Sequence, residues 1–322
     1  MIWQAIRLWI YRRLRGGSSP PSQRPAGDTP KPTVPPVVTP PQPVVNFKRP
    51  YTACEGLYKP LPIYRKIDES TEAKDAIAAL AASAKKSANL TIGSWAKPIV
   101  RAGDRMDPLP AVPPNEPGYH GDGGLDEVPC VHPEDIHIAI SASANTDNWL
   151  IIIKGGTSYE FYKAKVDERN GRVTHAKTII AYDIENGQGT TNGAAITAGG
   201  YSALWGLVHE DEGPINHRLA IGIPGIQKGP PRPPGHATRN VEVQNRTSVQ
   251  NYFREGDLLA LQPFADLSNL SGREKDIAIA FRDRGAEVVD NSGSLTVNHA
   301  YTGKPNLPLR NIPWHLLERV IG

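Results

Sequence analysis

A chain of 322 residues is long enough for one large or two ordinary domains, and its 39% hydrophobic content can build a real core. The 31 prolines and 30 glycines argue against a helical bundle, because helix interiors reject both residues while short strands joined by turns accept them at each junction. A net charge of +3 excludes a nucleic-acid-binding polycation, and two cysteines, Cys54 and Cys130, are too few for a disulfide scaffold or a four-cysteine zinc site. They form either one bridge or two free thiols.

The chain opens MIWQAIRLWIYRRLRGG, residues 1–17, with Ile2, Ile6, Trp9 and Ile10 at helical spacing and Trp3 and Leu14 beside them. Arg7, Arg12, Arg13 and Arg15 supply charge, and no acid occurs before Asp28. The apolar run is broken at Arg7 and falls short of the roughly 20 residues of a spanning helix. The charges follow the apolar part and no small-residue cleavage site is evident, so a signal peptide is not expected. Trp3, Ile6, Trp9, Ile10, Arg12 and Arg13 are therefore expected to dock: first into a partner's groove, second on an anionic membrane surface, and last on nucleic acid. Residues 18–50 form a proline-rich stalk, extended at about 3.1 Å per residue.

Residues 51–101 read as a connector with one helix over 70–88, capped by Ser70 or Thr71, with Glu72 in its first turn and Lys85 and Lys86 in its last. Its narrow stripe of Ile77, Leu80, Ala81 and Ala84 suits a core-facing surface, or close packing against a copy of itself. From 102 to 322 the pattern changes to short strands. IHIAIS (136–141) alternates, WLIII (149–153) reads as a buried strand, and YEFYKAKV, RVTHAKTIIAYDI, ALWGLVH, INHRLAIGI, DLLALQ, AEVVD and SLTVN follow. One helix, SGREKDIAIAFRDRG, starts at Ser271 and stops at Gly285, and a short one begins near 311–313. The expected fold is mainly β: an antiparallel β-sandwich or jelly-roll head with one or two short helices, preceded by the amphipathic segment and the stalk.

The segment HEDEGPINHRLAIGIP, His209 to Pro224, gathers the candidate chemistry. A strand period of two puts His217 on one face with Ile215, Leu219, Ile221 and Ile223, and Arg218 on the other with Asn216, Ala220 and Gly222. That pattern makes His217 a core histidine bonded to a carbonyl or a carboxylate. The competing reading makes it an acid–base at the rim, paired with Glu212. A glycosidase needs two carboxylates roughly 5–9 Å apart; Asp147, Glu160, Asp183, Glu212 and Asp290 are available, with Glu212, His217, Asp183 and Asp290 the catalytic candidates. Trp149, Tyr201 and Trp205 are the candidates for stacking on sugar faces. The loop Tyr119–His137 holds acids and histidines without metal-ligand spacing, so a solvated loop and no metal are expected. No G-x-S-x-G, H-E-x-x-H, Walker or dinucleotide fingerprint occurs, and no cofactor is expected.

Four stretches carry a resemblance: ANTDNWLIIIKGGTSYEFYKA, YDIENGQGTTNGAAITAGGYSALWGLVHEDEGPINHRLAI, REGDLLAL and FRDRGAEVVDNSG. Together, over Ile136 to Gly293, they resemble a family of uncharacterised bacterial secreted β-sandwich proteins associated with polysaccharide handling, and similar modules sit on phage tails. His217–Arg218 stands where that family carries His-Ala, and the resemblance brings no catalytic residues. With the order of anchor, stalk and head, it implies a virion tail-fibre-like structural protein that recognises a bacterial surface polysaccharide. Residues 1–17 would attach it to other tail or envelope proteins, with a homo-oligomer such as a trimer, on a virion tail or at a cell surface. A polysaccharide hydrolase or lyase, and a peripheral cell-envelope protein, are the alternatives.

Overall fold

The computed structural model describes residues 49–112, 119–120, 125–142, 147–191, 195–227, 229–238 and 252–322. Trp3, Ile6, Trp9, Ile10, Arg12 and Arg13, and all but the end of the proline stalk, lie outside the described residues. In chain order the elements are α1 (Glu55–Tyr58), α2 (Thr71–Ser87), β1 (Asn89–Thr91), β2 (Ile99–Pro108), β3 (Tyr119–His120), β4 (Glu127–Val131) and α3 (Ile136–Ala142). There follow β5 (Leu150–Lys154), β6 (Thr157–Tyr162), β7 (Lys165–Val166), β8 (Val173–His175), β9 (Thr178–Asp183) and β10 (Leu219–Ile223). The chain closes with β11 (Leu258–Leu261), α4 (Gly272–Asp283), β12 (Ala286–Asn291), β13 (Thr296–Asn298), β14 (Leu307–Pro308) and β15 (Leu317–Val320).

The fold is mainly β. A seven-stranded sheet runs β14-β1-β13-β10-β12-β11-β15, a six-stranded sheet runs β3-β9-β6-β5-β2-β4, and β7 pairs with β8. Both larger sheets are mixed: β1/β13, β10/β12, β2/β5 and β3/β9 pair in parallel, and the remaining pairs are antiparallel. Parallel neighbours need long crossovers, and α4 lies in the one that carries β10 to β12.

Three apolar layers follow from the two-residue period of the strands. On one face of the seven-stranded sheet, Leu219, Ile221 and Ile223 of β10 and Val288 of β12 meet Leu80 and Ala84 of α2 and Ile277 and Phe281 of α4. The intervening residues, Ala220 and Val289, point the other way and join Ile151, Ile180 and Tyr182 of the six-stranded sheet, with Tyr201, Leu204 and Trp205 between them. The far face of that second sheet, with Val100, Leu150, Ile152 and Phe161, is closed by Ile138 and Ala139 of α3. Each large side chain so buried is worth about 1.5–3 kcal/mol.

Local chemistry explains one end of each of the two long helices. Ser70 Oγ accepts from the Ala73 amide at 3.2 Å and starts α2. Gly285, at φ +80°, takes the left-handed turn that ends α4. Ile136–Ala142, expected as a strand, is helical instead. Pro133–Asp135 form a 3-10 turn whose cap, His132 Nδ1, accepts from the Glu134 amide at 3.3 Å, and the turn winds directly into α3. In ALWGLVH, residues 203–206 form a turn and Val208 makes an isolated parallel bridge to His299, and the strand of INHRLAIGI is confined to Leu219–Ile223. Within residues 51–101, α2 packs on the seven-stranded sheet, and β1 and the start of β2 enter the two sheets. Cys54 and Cys130 are buried free thiols.

Candidate functional site

Two buried carboxylates enter the layer between the sheets, one from each sheet. In β6 the register sets Glu160 beside Ile151 and Ile180, so its side chain enters the layer between the sheets. It accepts from the Ala203 amide at 2.7 Å, from Ser158 Oγ at 3.1 Å and from Ser202 Oγ, which in turn accepts from Tyr51 Oη at 2.6 Å. Burial outweighs these donors and lifts the Glu160 carboxyl to about 7. Glu287 of β12 enters the same layer and accepts from Tyr201 Oη at 2.6 Å and from the His236 amide at 2.8 Å. His236 Nδ1 lies 2.7 Å away and the Arg218 guanidinium pairs with the same carboxylate. Burial pushes Glu287 up, but the His236 bond and the Arg218 charge more than reverse it, so the group is held below its ordinary value.

The loop between these anchors turns through Gly206, at φ +64°, where a Cβ would stand 2.7 Å from the Ala220 amide nitrogen; only glycine fits. Beyond it, Arg273 of α4 donates to the carbonyls of His209 (3.2 Å), Glu210 (2.8 Å) and Glu212 (3.1 Å) and holds their segment in place. The result is a cleft of about 400 Å³ lined by Tyr58, His209, Asp211, Glu212, Asn216 and His217, with Arg49 at its edge.

His217 stands two residues before β10, so the strand period does not apply to it. Its ring turns into the cleft while Arg218 takes the buried place against Glu287. The expectation of a core histidine among aliphatic neighbours is thereby corrected. His217 Nδ1 lies 2.6 Å from the Arg218 carbonyl, which makes it the donor there, and Nε2 lies 3.4 Å from Glu212. That geometry sets Nε2 facing the Glu212 carboxylate across the cleft. Burial pushes the Glu212 carboxyl up, and the bond and charge of His217 bring it below its ordinary value. His209, almost fully buried, is held down to about 4 and is neutral at pH 7.

The other expected site residues lie elsewhere. Asp183 is exposed and accepts from the amides of Glu185 (3.0 Å) and Asn186 (2.9 Å), a turn-capping role. Asp290, Asp147 and Glu160 act on Lys97, whose Nζ sits 3.4 Å above the Trp149 ring; burial nonetheless brings Lys97 down to about 8. Trp149, Tyr201 and Trp205 are 3%, 0% and 0% exposed, so no ring face is left for a sugar; they fill the layer between the sheets instead. In the acidic loop, Asp135 is buried and holds Arg101 at 2.7 Å. Among the described residues no group of three or more His, Cys, Asp or Glu side chains has a metal-binding arrangement, and no helix is long and apolar enough to cross a membrane.

Sequence reasoning missed His209, Tyr58, Arg218, His236, Arg273 and Glu287. Only Arg218 gave a signal, as the charged residue where the resembling family has alanine. Comparisons with family models, with curated proteins and with solved structures return no significant match.

Proposed function

We propose that the protein cleaves a bacterial surface polysaccharide in this cleft, with Glu212 and His217 as its acid–base pair. One observation carries the reading: His217 is locked through Nδ1 to a backbone carbonyl and turns Nε2 toward the Glu212 carboxylate in an open cleft rather than in the core. In hydrolysis one member of the pair gives a proton to the leaving glycosidic oxygen as its bond to the anomeric carbon breaks, and the other takes a proton from the water that attacks that carbon. In elimination the base first removes the proton from the ring carbon next to a uronate carboxylate, the C–H electron pair forms the new double bond as the C–O bond breaks, and the acid protonates the leaving oxygen. The cleft's volume is within the range of small-molecule sites, enough for a short stretch of glycan.

The test incubates the full-length chain with purified capsular and surface polysaccharides and follows polymer size, new reducing ends and unsaturated uronates. Cleavage is expected, and Glu212→Gln should lower its rate by about 10²–10⁴-fold with the fold retained. An unchanged rate in that variant removes Glu212 from the mechanism. Binding without any shortening favours the second reading, a glycan-recognising, tail-fibre-like head. That reading is supported by the sequence order of basic segment, proline stalk and β-rich body, and it has residues 1–17 attach to a virion tail or an envelope.

A further inference from the structure

A second cavity, of about 870 Å³, lies between α2 and the segment Arg310–Glu318 and is separate from the cleft. Its floor is apolar: Ile77 and Ala81 of α2 on one side, Ile312 and Trp314 on the other. The exposed wall of α2 carries only Ala78 and Ala82 between Lys74 and Lys85. Those four positions follow helical spacing and share one face.

The charges around the groove are unbalanced. Asp68 and Glu318 line it, but Asp68 is paired with Arg319 at 2.8 Å and Glu318 with Arg65 at 2.6 Å. Nearby, the Glu274 carboxylate accepts from the amide and side chain of Asn311 at 2.9 Å and 3.1 Å, neutral donors that hold it in place and leave its charge. Lys74, Lys85 and Arg310 make no ion pair with any described residue. The groove therefore offers an apolar floor, a wall without bulky side chains, and a lysine without an ion pair to any described residue at each end of that wall. Lys74 and Lys85 stand about 16 Å apart along the helix.

We propose that this groove binds an amphipathic helix of another protein, with acidic residues at both ends of its apolar stripe. Alanines at 78 and 82 let a second helix approach to the short end of the usual 8–10 Å interaxial range, and an apolar stripe in a groove is an established mode of helix recognition. Charge excludes the two occupants closest to hand. The chain's own residues 1–17 carry arginines and no acid, the wrong sign for this rim. A second copy packed symmetrically would set Lys74 against Lys85 of its partner, like against like.

The probe is a labelled, end-blocked 18-residue helix with leucines at i, i+3, i+4 and i+7 and glutamates at its flanks, titrated against the full chain by fluorescence anisotropy. A matched peptide with lysines for glutamates and a peptide of residues 1–17 serve as competitors. The acidic peptide should bind at least ten-fold more tightly than either. Ala82→Arg should lower that affinity at least ten-fold with circular dichroism unchanged. The doubly reversed Lys74→Glu/Lys85→Glu chain should prefer the lysine peptide. Equal affinity for the acidic and basic peptides, or binding indifferent to Ala82→Arg, overturns the proposal. Tighter binding of residues 1–17 assigns the groove to the chain's own segment, and self-association abolished by Ala82→Arg assigns it to a second copy; either overturns it too.

Discussion

Replacing Glu160 by glutamine tests whether burial or hydrogen bonding governs the layer between the sheets. Glu160 accepts from Ala203, Ser202 and Ser158, which favours the carboxylate, yet it is 0% exposed and burial lifts it from 4.5 to about 7. A carboxyl that stays protonated in the fold and ionises in the unfolded chain stabilises the fold fully below 4.5. That contribution is lost as pH rises through about 7. A shift of this size corresponds to about 3 kcal/mol. His209 works in the opposite sense. Its folded value of about 4 lies below the ordinary 6.5, so its contribution is present above 6.5 and lost as pH falls through about 4. The two oppose one another in the native chain, so its own pH profile isolates neither. The glutamine variant does not titrate at 160, so the difference between variant and native chain isolates Glu160. Urea unfolding at pH 4.5, 5.5, 6.5 and 7.5 should show the variant gaining about 3 kcal/mol relative to the native chain as pH rises. A constant offset from replacing a carboxyl oxygen by an amide NH2 group among the same donors, about 1–2 kcal/mol, leaves that slope untouched. A difference independent of pH would refute the claim that burial outweighs the donors.

Two further outcomes follow from the same framework. Arg218→Met leaves Glu287 buried without its guanidinium and should cost about 3–5 kcal/mol in the same unfolding assay. Adding Glu287→Gln should recover part of that loss; strictly additive effects would show that the two groups do not couple. Gly206→Ala forces a Cβ to within 2.7 Å of the Ala220 amide at φ +64° and should cost about 1–3 kcal/mol. A melting temperature unchanged in that variant would mean that the loop shifts freely under the cleft.

The sequence alone determined what depends on neighbours along the chain. The capped helix at Thr71–Ser87, the helix stopped by Gly285, and the strands of WLIII, DLLALQ and AEVVD are legible because capping, turn chemistry and apolar periodicity act within a few residues. Locality also set the limits of that reading. IHIAIS alternates like a strand, but the turn built by His132 and Pro133 ahead of it winds the segment into a helix. His217 shares a strand's parity with Leu219, yet the strand begins only at Leu219, so parity said nothing about where the ring points. Only the tertiary structure could decide that Glu160 and Glu287, 127 positions apart in the numbering, face one layer from opposite sheets. It alone places Arg273, from a helix after β11, under the carbonyls that present Glu212. Glu287 draws Arg218 inward and leaves its neighbour His217 to the cleft. Pairings of that kind are set by sheet register and by the cost of burying charge without a partner, and neither is written in the spacing of residues along a single segment.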